Sequence, residues 1–148
     1  MTPGYSVRPL EMSGAIGSVQ LKKWPKMKEK RIKNAQAFRY KFEEVPGVQL
    51  QKEVGESSWF GFSIVLIDHL EGKRDKVVKA FTENGIECRP IVAGNFMRNP
   101  VIEYMQYYKN GNYTNSNYIH DNGLFIGNDI RDLRDNLEVL YDIIKEIK

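Results

Sequence analysis

The sequence contains little cysteine, no long apolar run and no basic leader, and each absence excludes a class of protein. Its 148 residues include one cysteine, Cys88, so an internal disulfide framework is impossible. No stretch approaches the roughly 20 consecutive apolar residues that a membrane-spanning helix needs. The first residues lack the basic and apolar regions of a secretory signal peptide. We therefore expect one cytoplasmic domain with an ordinary core and no membrane partner.

Residue clusters typical of metal, nucleotide-binding or catalytic sites are also scarce. The histidines are His69, expected in an exposed turn, and His120, expected in a structural role; neither has cysteine or carboxylate neighbours at the spacing of a metal site. The glycines of the sequence Gly14-x-x-Gly17 follow the start of a helix, and no strand precedes them, which excludes a dinucleotide-binding loop. The sequence therefore predicts no metal site and no catalytic residue.

Basic residues concentrate in the segment Lys22–Lys33, which holds much of the excess behind the net charge of +3. Nucleic-acid binding would use such a cluster to neutralise phosphates, with interleaved aromatic residues for stacking, but only Trp24 is interleaved here. Apolar residues recur at helical spacing and form one face: Ile32, Ala35, Phe38, Phe42 and Val45. We therefore interpret the lysines as the solvated face of a helix and expect no nucleic-acid partner.

The order of elements predicts an α+β domain. The predicted helices are Pro9–Trp24, Pro25–Val45, Lys73–Asn84, two short helices at Val101–Tyr108 and Thr114–Asp121, and a last helix capped by Asp129. The predicted strands are Val48–Glu53, Ser58–Ile67, Ile86–Val92 and Leu124–Ile126, with an exposed loop at Ala93–Asn99. A small, mainly antiparallel sheet with helices packed on one face is the natural arrangement.

The first predicted helix has a smooth side made of small residues: Ser13, Gly14, Ala15, Gly17 and Ser18. A glycine inside a helix costs about 0.5–1 kcal/mol relative to alanine, so two of them require a packing reason. Close packing within the chain and contact with a partner subunit would both supply that reason, and the sequence leaves the two open.

Two arginines could bind a phosphate or a carboxylate through a bidentate guanidinium. Arg8 precedes the first helix, and its alternative role is an ion pair with Glu11. Arg89 lies on an otherwise apolar strand, where the alternative is a buried pair with Glu87 or Glu56. Because a buried guanidinium without a partner is costly, Arg89 needs an anion from the protein or from a ligand.

Three segments resemble a known protein family. They are Gly4–Gly17 (GYSVRPLEMSGAIG) followed by Gln20–Lys23 (QLKK), Glu56–Ser63 (ESSWFGFS) and Gly85–Phe96 (GIECRPIVAGNF). Over nearly the whole chain, the sequence is similar to the C-terminal part of the DegT/StrS family of sugar aminotransferases and dehydrases, which are fold-type I pyridoxal-phosphate (PLP) enzymes. The last two segments look most like the nucleotide-sugar 3-dehydrase branch of that family.

The resemblance implies a site that is shared between the subunits of a homodimer. In this family the cofactor lies at the dimer interface, and a Gly-Tyr-Asn-x-Arg segment reaches the phosphate of the neighbouring subunit's cofactor. Tyr5 and Arg8 match that motif, and Ser6 stands where the family commonly has asparagine. We therefore expect Tyr5, Ser6 and Arg8 to bind the cofactor phosphate in trans.

The same resemblance implies which parts of the parent enzyme bind the substrate and which anchor the cofactor. Arg89, Asn95 and Phe96 correspond to the region that lines the nucleotide-sugar site, so we expect them to contact the substrate. Residues 1–24 would form an interdomain and dimer-side segment, and residues 25–148 a small C-terminal α+β domain, in one folded unit. The domain that anchors pyridoxal or pyridoxamine 5′-phosphate would precede Met1, so we expect this chain alone to bind no cofactor and to be inactive.

The resemblance leaves three functions open. The expected parent activity is the removal of the sugar C3 hydroxyl with pyridoxamine phosphate, in deoxysugar biosynthesis. Transfer of an amino group to a ketosugar is an alternative, because the residue that distinguishes the two reactions lies outside this sequence. The third is a non-catalytic module that only folds, dimerises or completes a separate N-terminal chain.

Overall fold

The computed structural model describes residues 10–147, which form four α-helices and a four-stranded antiparallel sheet. The helices are α1 (Glu11–Phe42), α2 (Arg74–Glu83), α3 (Thr114–Asn122) and α4 (Arg134–Glu146). The strands are β1 (Val48–Leu50), β2 (Gly61–Leu66), β3 (Cys88–Arg89) and β4 (Gly123–Gly127). Short 3-10 turns lie at Asp68–Leu70, Phe96–Arg98 and Pro100–Tyr104. The predicted α+β class is confirmed.

The sheet has two different faces. Its strand order is β1-β2-β4-β3, and every neighbouring pair is antiparallel. Ile64 lies opposite Leu124 in the β2–β4 ladder, and Arg89 lies opposite Phe125 in the β3–β4 ladder. Because successive side chains alternate between faces, Ile64 and Leu124 face the core, whereas Arg89 and Phe125 lie on the other side. We call that second side the outer face.

The hydrophobic core lies between the inner face of the sheet and helices α1, α2 and α4. Its largest fully buried side chains are Phe38, Phe42, Phe62, Ile64, Leu66, Leu70, Val77, Phe81, Leu124 and Ile144. Phe38 of α1 stacks on Phe62 of β2 with ring centroids 4.3 Å apart. Helix α3 lies on the outer face instead, where its Tyr118 and Ile119 line a cleft together with Ser63 and Val65 of β2. One end of the outer face is therefore covered.

Helix α1 is continuous through Pro25, so the helix break predicted at this residue is wrong. Proline removes the hydrogen bond to the carbonyl of Leu21, but its fixed φ is close to that of a helix. The residues around it are mostly lysines, which are good helix formers, so the helix continues. The N-terminal two-thirds of α1, residues 11–30, is exposed almost throughout.

Several elements are shorter than the sequence predicts, and proline explains one of them. Strand β3 ends at Arg89 because Pro90 has no amide hydrogen to donate to the sheet. The short helix expected from Val101 is a 3-10 turn that begins at Pro100 and ends where Met105 becomes extended. Strand β1 likewise stops at Leu50 instead of Glu53.

The predicted cap of the last helix is also wrong. Helix α4 begins at Arg134, and Asp129 lies too far upstream to cap it. The Asp129 carboxylate accepts the backbone N–H of Ile130 at 2.5 Å. Asp132 instead accepts the N–H of Arg134 at 3.1 Å, next to the positive end of the helix dipole.

Among residues 10–147, no helix combines the length and the apolar character that a membrane span requires.

Candidate functional site

The predicted substrate-side residues lie on the outer face of the sheet and on the loop after β3. Arg89 is exposed on β3, Asn95 is buried in the loop, and Phe96 is about half exposed. The predicted ligands of the cofactor phosphate lie outside the described residues: Tyr5, Ser6 and Arg8. The structure therefore describes one half of the predicted site.

Arg89 belongs to a row of charged and aromatic side chains on the outer face. Its guanidinium carbon lies 5.8 Å from the ring centroid of Phe125. Phe125 stacks against Phe60 with 5.8 Å between ring centroids and an interplanar angle of 26°. Arg31 of α1 holds its guanidinium carbon 5.8 Å from the Phe60 centroid. We call Arg31, Phe60, Phe125 and Arg89 the arginine–phenylalanine row.

Within residues 10–147, neither arginine of the row forms a salt bridge. Arg89 is exposed, so the alternative of a buried ion pair with Glu87 or Glu56 is wrong. The Nε of Arg31 is buried and has no hydrogen-bond acceptor in this part of the chain. The row therefore presents two guanidinium groups that form no ion pair with a carboxylate of the described residues.

The position of Phe125 depends on Gly61. A Cβ at Gly61 would lie 2.2 Å from the Cζ of Phe125 and 2.5 Å from the carbonyl oxygen of Ile126. Glycine leaves this space open, and an aromatic ring from the neighbouring strand fills it, a known way to stabilise a glycine within a sheet. Gly127, the cross-strand partner of Gly61, has nothing within 4 Å of its Cβ position.

The backbone before β2 has an unusual conformation that positions Phe60. Trp59 is buried and has a φ of +50°, a region that bulky residues rarely adopt. Asn128 donates from its side-chain Nδ2 to the Trp59 carbonyl at 2.9 Å and from its backbone N–H to the Phe60 carbonyl at 3.3 Å. These contacts hold the strained residue in place, while Phe60 itself remains 72% exposed.

The loop after β3 is anchored through Asn95. Its backbone N–H donates to Nδ1 of His120 at 2.9 Å, and its Nδ2 donates to the Asn117 side-chain oxygen at 2.8 Å. Its Oδ1 accepts the N–H of Met97 at 3.0 Å. Gly94, with a φ of +67°, leaves the space that His120 occupies, since a Cβ there would lie 2.4 Å from Nδ1. His120 therefore has the structural role expected from the sequence.

The Asn95 amide is already engaged as donor and as acceptor, so its direct contact with a substrate stays a prediction. The same holds for Phe96, which begins the 3-10 turn after Asn95. Arg98, at the end of that turn, pairs with Asp121 of α3 at 2.6 Å. The loop is thus fixed to α3 at three points, through Asn117, His120 and Asp121.

Within residues 10–147, the site offers binding groups, and its one thiol is not an activated nucleophile. Burial raises the pKa of the Cys88 thiol, while the nearby Arg74 charge lowers it by a smaller amount. A protonated thiol is a poor nucleophile, so Cys88 contributes packing beside Arg89. Within the described residues, no three histidine, cysteine or acidic side chains come together in a way that could hold a metal ion. These groups suit recognition of an anion.

Sequence reasoning identified Arg89 and missed the other three residues of its row. Arg31 was interpreted as part of a solvated helix face, and Phe60 and Phe125 as ordinary strand residues. The available signal was Gly61, because a glycine within a strand pattern often marks the close approach of another group. The sequence does not say which side chain approaches, since that depends on the register between β2 and β4.

Comparison with known proteins gives relatives that are substantially longer than this chain. A GDP-4-keto-6-deoxy-D-mannose 3-dehydratase from Yersinia pseudotuberculosis is 48% identical over 145 residues, which is 97% of this chain and 37% of the relative. An Escherichia coli O55:H7 protein of the same name is 47% identical over 144 residues, with the same two coverages. The chain therefore spans about 37% of the length of these curated relatives.

Comparison with solved structures finds proteins of the same kind as these sequence relatives. The E. coli GDP-4-keto-6-deoxy-D-mannose-3-dehydratase with bound hydrated PLP has a TM-score of 0.90 at 47% identity, over 96% of this chain and 37% of that one. Helicobacter pylori PseC, an aminotransferase of pseudoaminic acid biosynthesis, has a TM-score of 0.81 at 14% identity, over 99% of this chain and 40% of that one. The second likeness shows the fold alone, and together with the first it confirms the predicted fold.

The family follows from the sequence as well as from the fold. Residues 1–130 match the model of the DegT/DnrJ/EryC1/StrS aminotransferase family, which is most of the chain. The three segments that carried the resemblance lie within these residues. This chain belongs to the DegT/DnrJ/EryC1/StrS aminotransferase family.

Proposed function

We propose that this chain forms the substrate-side, C-terminal portion of a PLP- or pyridoxamine-phosphate-dependent nucleotide-sugar 3-dehydratase. The observation that carries the proposal is Arg89, an exposed guanidinium without a carboxylate partner among the described residues. The chain that carries Arg89 has 48% and 47% sequence identity to two GDP-4-keto-6-deoxy-D-mannose 3-dehydratases. A nucleotide sugar carries a diphosphate, and the forked guanidinium suits phosphate oxygens. In this proposal Arg89 binds that diphosphate.

The described residues fit a role in substrate binding and do not fit a cofactor anchor. A cleft of about 380 Å³ lies beside Arg89, and none of the described residues that line it is a lysine or a histidine, the side chains that would face the cofactor in this family. When bound, the cofactor supplies the electron sink that lets the C3 hydroxyl leave. The proposal assigns its anchor to the large domain of the family and its phosphate contacts to residues outside the described range: Tyr5, Ser6 and Arg8.

The proposed partner surface is the exposed N-terminal part of α1. Large apolar side chains in this part and directly before it are exposed: Leu10, Met12, Ile16, Val19, Leu21 and Trp24. A helical segment without tertiary contacts is marginal in water, and a cluster of exposed apolar residues marks an interaction site. We propose that residues 1–24 pack against the cofactor-binding domain and the partner subunit of a homodimer. The proposal includes a cytoplasmic location, which suits a chain with one cysteine.

A hybrid enzyme tests the proposed function. In this hybrid, the chain replaces the matching 37% of the E. coli O55:H7 relative, and the product formed from GDP-4-keto-6-deoxymannose is identified. We expect a 3-deoxy sugar product. The choice between dehydration and transamination is set by the relative's own part of the hybrid, so turnover tests whether this chain supplies a working substrate side. A folded, cofactor-loaded hybrid without turnover would favour the non-catalytic module.

A further inference from the structure

The backbone of the loop after β3 is held to α3 by one imidazole nitrogen. Nδ1 of His120 accepts the backbone N–H of Asn95 at 2.9 Å, so the neutral ring carries its own proton on Nε2. The ring packs against Gly94, where the missing Cβ makes the close approach possible. Because Asn95 is buried, water does not readily replace a lost acceptor. The bond therefore exists only while Nδ1 keeps its lone pair.

The groups around His120 offer no carboxylate to a protonated ring. Asp121 follows it on α3 but pairs with Arg98 of the loop at 2.6 Å. Glu71 accepts a hydrogen bond from the tyrosine of α3, and Arg74 of α2 donates to the carbonyl directly after α3. Strands β2 and β4, on which α3 packs, contain no charged residue. Within residues 10–147, His120 forms no salt bridge, so its protonation would cost the bond to Asn95 and gain no ion pair.

The other two attachments of the loop to α3 do not replace this bond. Asn117 accepts from the side chain of Asn95 and leaves the loop backbone free. The pair of Arg98 with Asp121 is exposed on both sides, and exposed ion pairs contribute little to stability. Of the three attachments, His120 is thus the one that fixes the backbone and the one that can lose its acceptor by titration.

We propose that His120 is a positioning residue for the substrate side, and that its neutral form alone holds the loop after β3 in the binding position. The inference rests on the proposed function, which puts Asn95 and Phe96 of this loop beside the substrate. Protonation places a hydrogen on Nδ1, so that two donors face each other and the attachment opens. Substrate affinity therefore falls as the pH falls.

The position of His120 on α3 makes this protonation accessible. Histidine changes its charge between about pH 5 and 8. His120 lies in the last turn of α3, where the negative end of the helix dipole favours the charged ring. The opening of the loop should accordingly fall within that pH range.

Two substitutions separate the acceptor at Nδ1 from the bulk of the ring. Asparagine carries its side-chain oxygen on Cγ, the atom that carries Nδ1 in histidine, so His120→Asn keeps an acceptor that does not titrate. Glutamine carries its oxygen one atom further out, so His120→Gln keeps polar bulk and loses the acceptor. A role in packing alone predicts the same behaviour for both variants.

The first measurement follows hydrogen exchange of the Asn95 amide in the 148-residue chain by NMR, expressed as a protection factor. We expect protection in the unaltered chain to fall about fivefold or more between about pH 8 and about pH 5, which corresponds to one hydrogen bond. His120→Asn should stay protected at both pH values, and His120→Gln should lack the protection at both. His69→Ala, the matched control, changes the other histidine and should keep the pH dependence.

The second measurement is KM for the GDP-sugar in the hybrid enzyme at the same two pH values. The ratio of KM in the unaltered hybrid to KM in the His120→Asn hybrid should be near one at about pH 8 and about fivefold larger at about pH 5. The corresponding ratio of kcat should change much less, because the loop contributes to binding. The ratio between variants removes titrations in the rest of the enzyme, which both hybrids share.

The outcomes separate this inference from the proposed function. Protection and KM ratios that do not change with pH, or equal behaviour of the Asn and Gln variants, would overturn the inference, while an active hybrid would leave the proposed function standing. If no hybrid turns over and the Asn95 amide behaves as expected, the proposed function fails and the pH-dependent attachment of the loop stands.

Discussion

Asn34 of α1 and Asn128 after β4 form a buried pair of side-chain amides, with Nδ2 of Asn34 3.3 Å from Oδ1 of Asn128. Asn34 also donates to the carbonyl of Asp129 at 2.9 Å. Asn128 donates to the carbonyls of Arg31 at 3.0 Å and Trp59 at 2.9 Å. The pair therefore connects the backbone segments that carry Arg31 and Phe60, and it holds one end of the arginine–phenylalanine row together.

We expect Asn34→Ala to destabilise the fold by about 2–4 kcal/mol, because several buried backbone groups lose their partners at once. One of these is the N–H of Leu133, which donates to Oδ1 of Asn34. Urea unfolding followed by circular dichroism measures the change. Asn136→Ala, at an exposed position on α4, is the control and should shift stability by less than about 0.5 kcal/mol. Equal effects of the two substitutions would contradict a structural role for the pair.

Gly61→Ala should destabilise the fold by about 1–3 kcal/mol, whereas Gly127→Ala should change little. The two glycines lie opposite each other, but only the Cβ at Gly61 would overlap the Phe125 ring. Thermal unfolding measures the difference between the variants. An equal loss at both positions would mean that the effect comes from strand geometry and not from the space that Phe125 needs.

His120→Ala should loosen the loop after β3 without weakening the core. The Asn95 N–H loses its acceptor at Nδ1, so its hydrogen exchange should become about fivefold faster or more, which corresponds to one hydrogen bond. Hydrogen–deuterium exchange of the Asn95 amide measures this. His69→Ala, which changes the other histidine, should leave that amide unchanged, and slow exchange in both variants would contradict the anchoring role.

Stability should depend on pH through Asp132 at the start of α4. Hydrogen bonds from Arg134 hold the pKa of Asp132 at about 2, below its ordinary value of 3.8. Because the folded-state pKa is the lower one, the charged carboxylate stabilises the fold above about pH 4, and this contribution is lost as the pH falls towards 2. Denaturant unfolding should therefore separate Asp132→Asn from the unaltered chain clearly at pH 6 and only weakly at pH 2. An equal separation at both pH values would exclude this linkage.

Local sequence patterns were sufficient to predict α2, α4 and β2, and with them the α+β class. Val77 and Phe81, for example, recur at helical spacing and are both fully buried in the core. The pattern failed at Pro25, where the loss of one hydrogen bond does not end a helix whose neighbouring residues favour it. Residue spacing and the effects of proline therefore predict single helices and strands, because these rules concern only a few neighbouring residues.

The candidate site could be predicted only in part, because it depends on contacts between distant segments. Arg89 stood out as a charge on an apolar strand. Its row also needs Phe125 opposite it, Phe60 from the start of β2 and Arg31 from α1. Strand register and the path of α1 bring these residues together. Neither can be predicted from the residue spacing within a single segment.

Steady-state kinetics of the hybrid enzyme with Arg89→Ala tests the central claim most directly. If Arg89 binds the substrate diphosphate, KM for the GDP-sugar should rise about tenfold or more while kcat changes much less, because a charge-assisted contact to the bound substrate is lost. Arg98→Ala, in the same hybrid, should leave both constants near their original values. An unchanged KM in the Arg89→Ala hybrid would contradict the account.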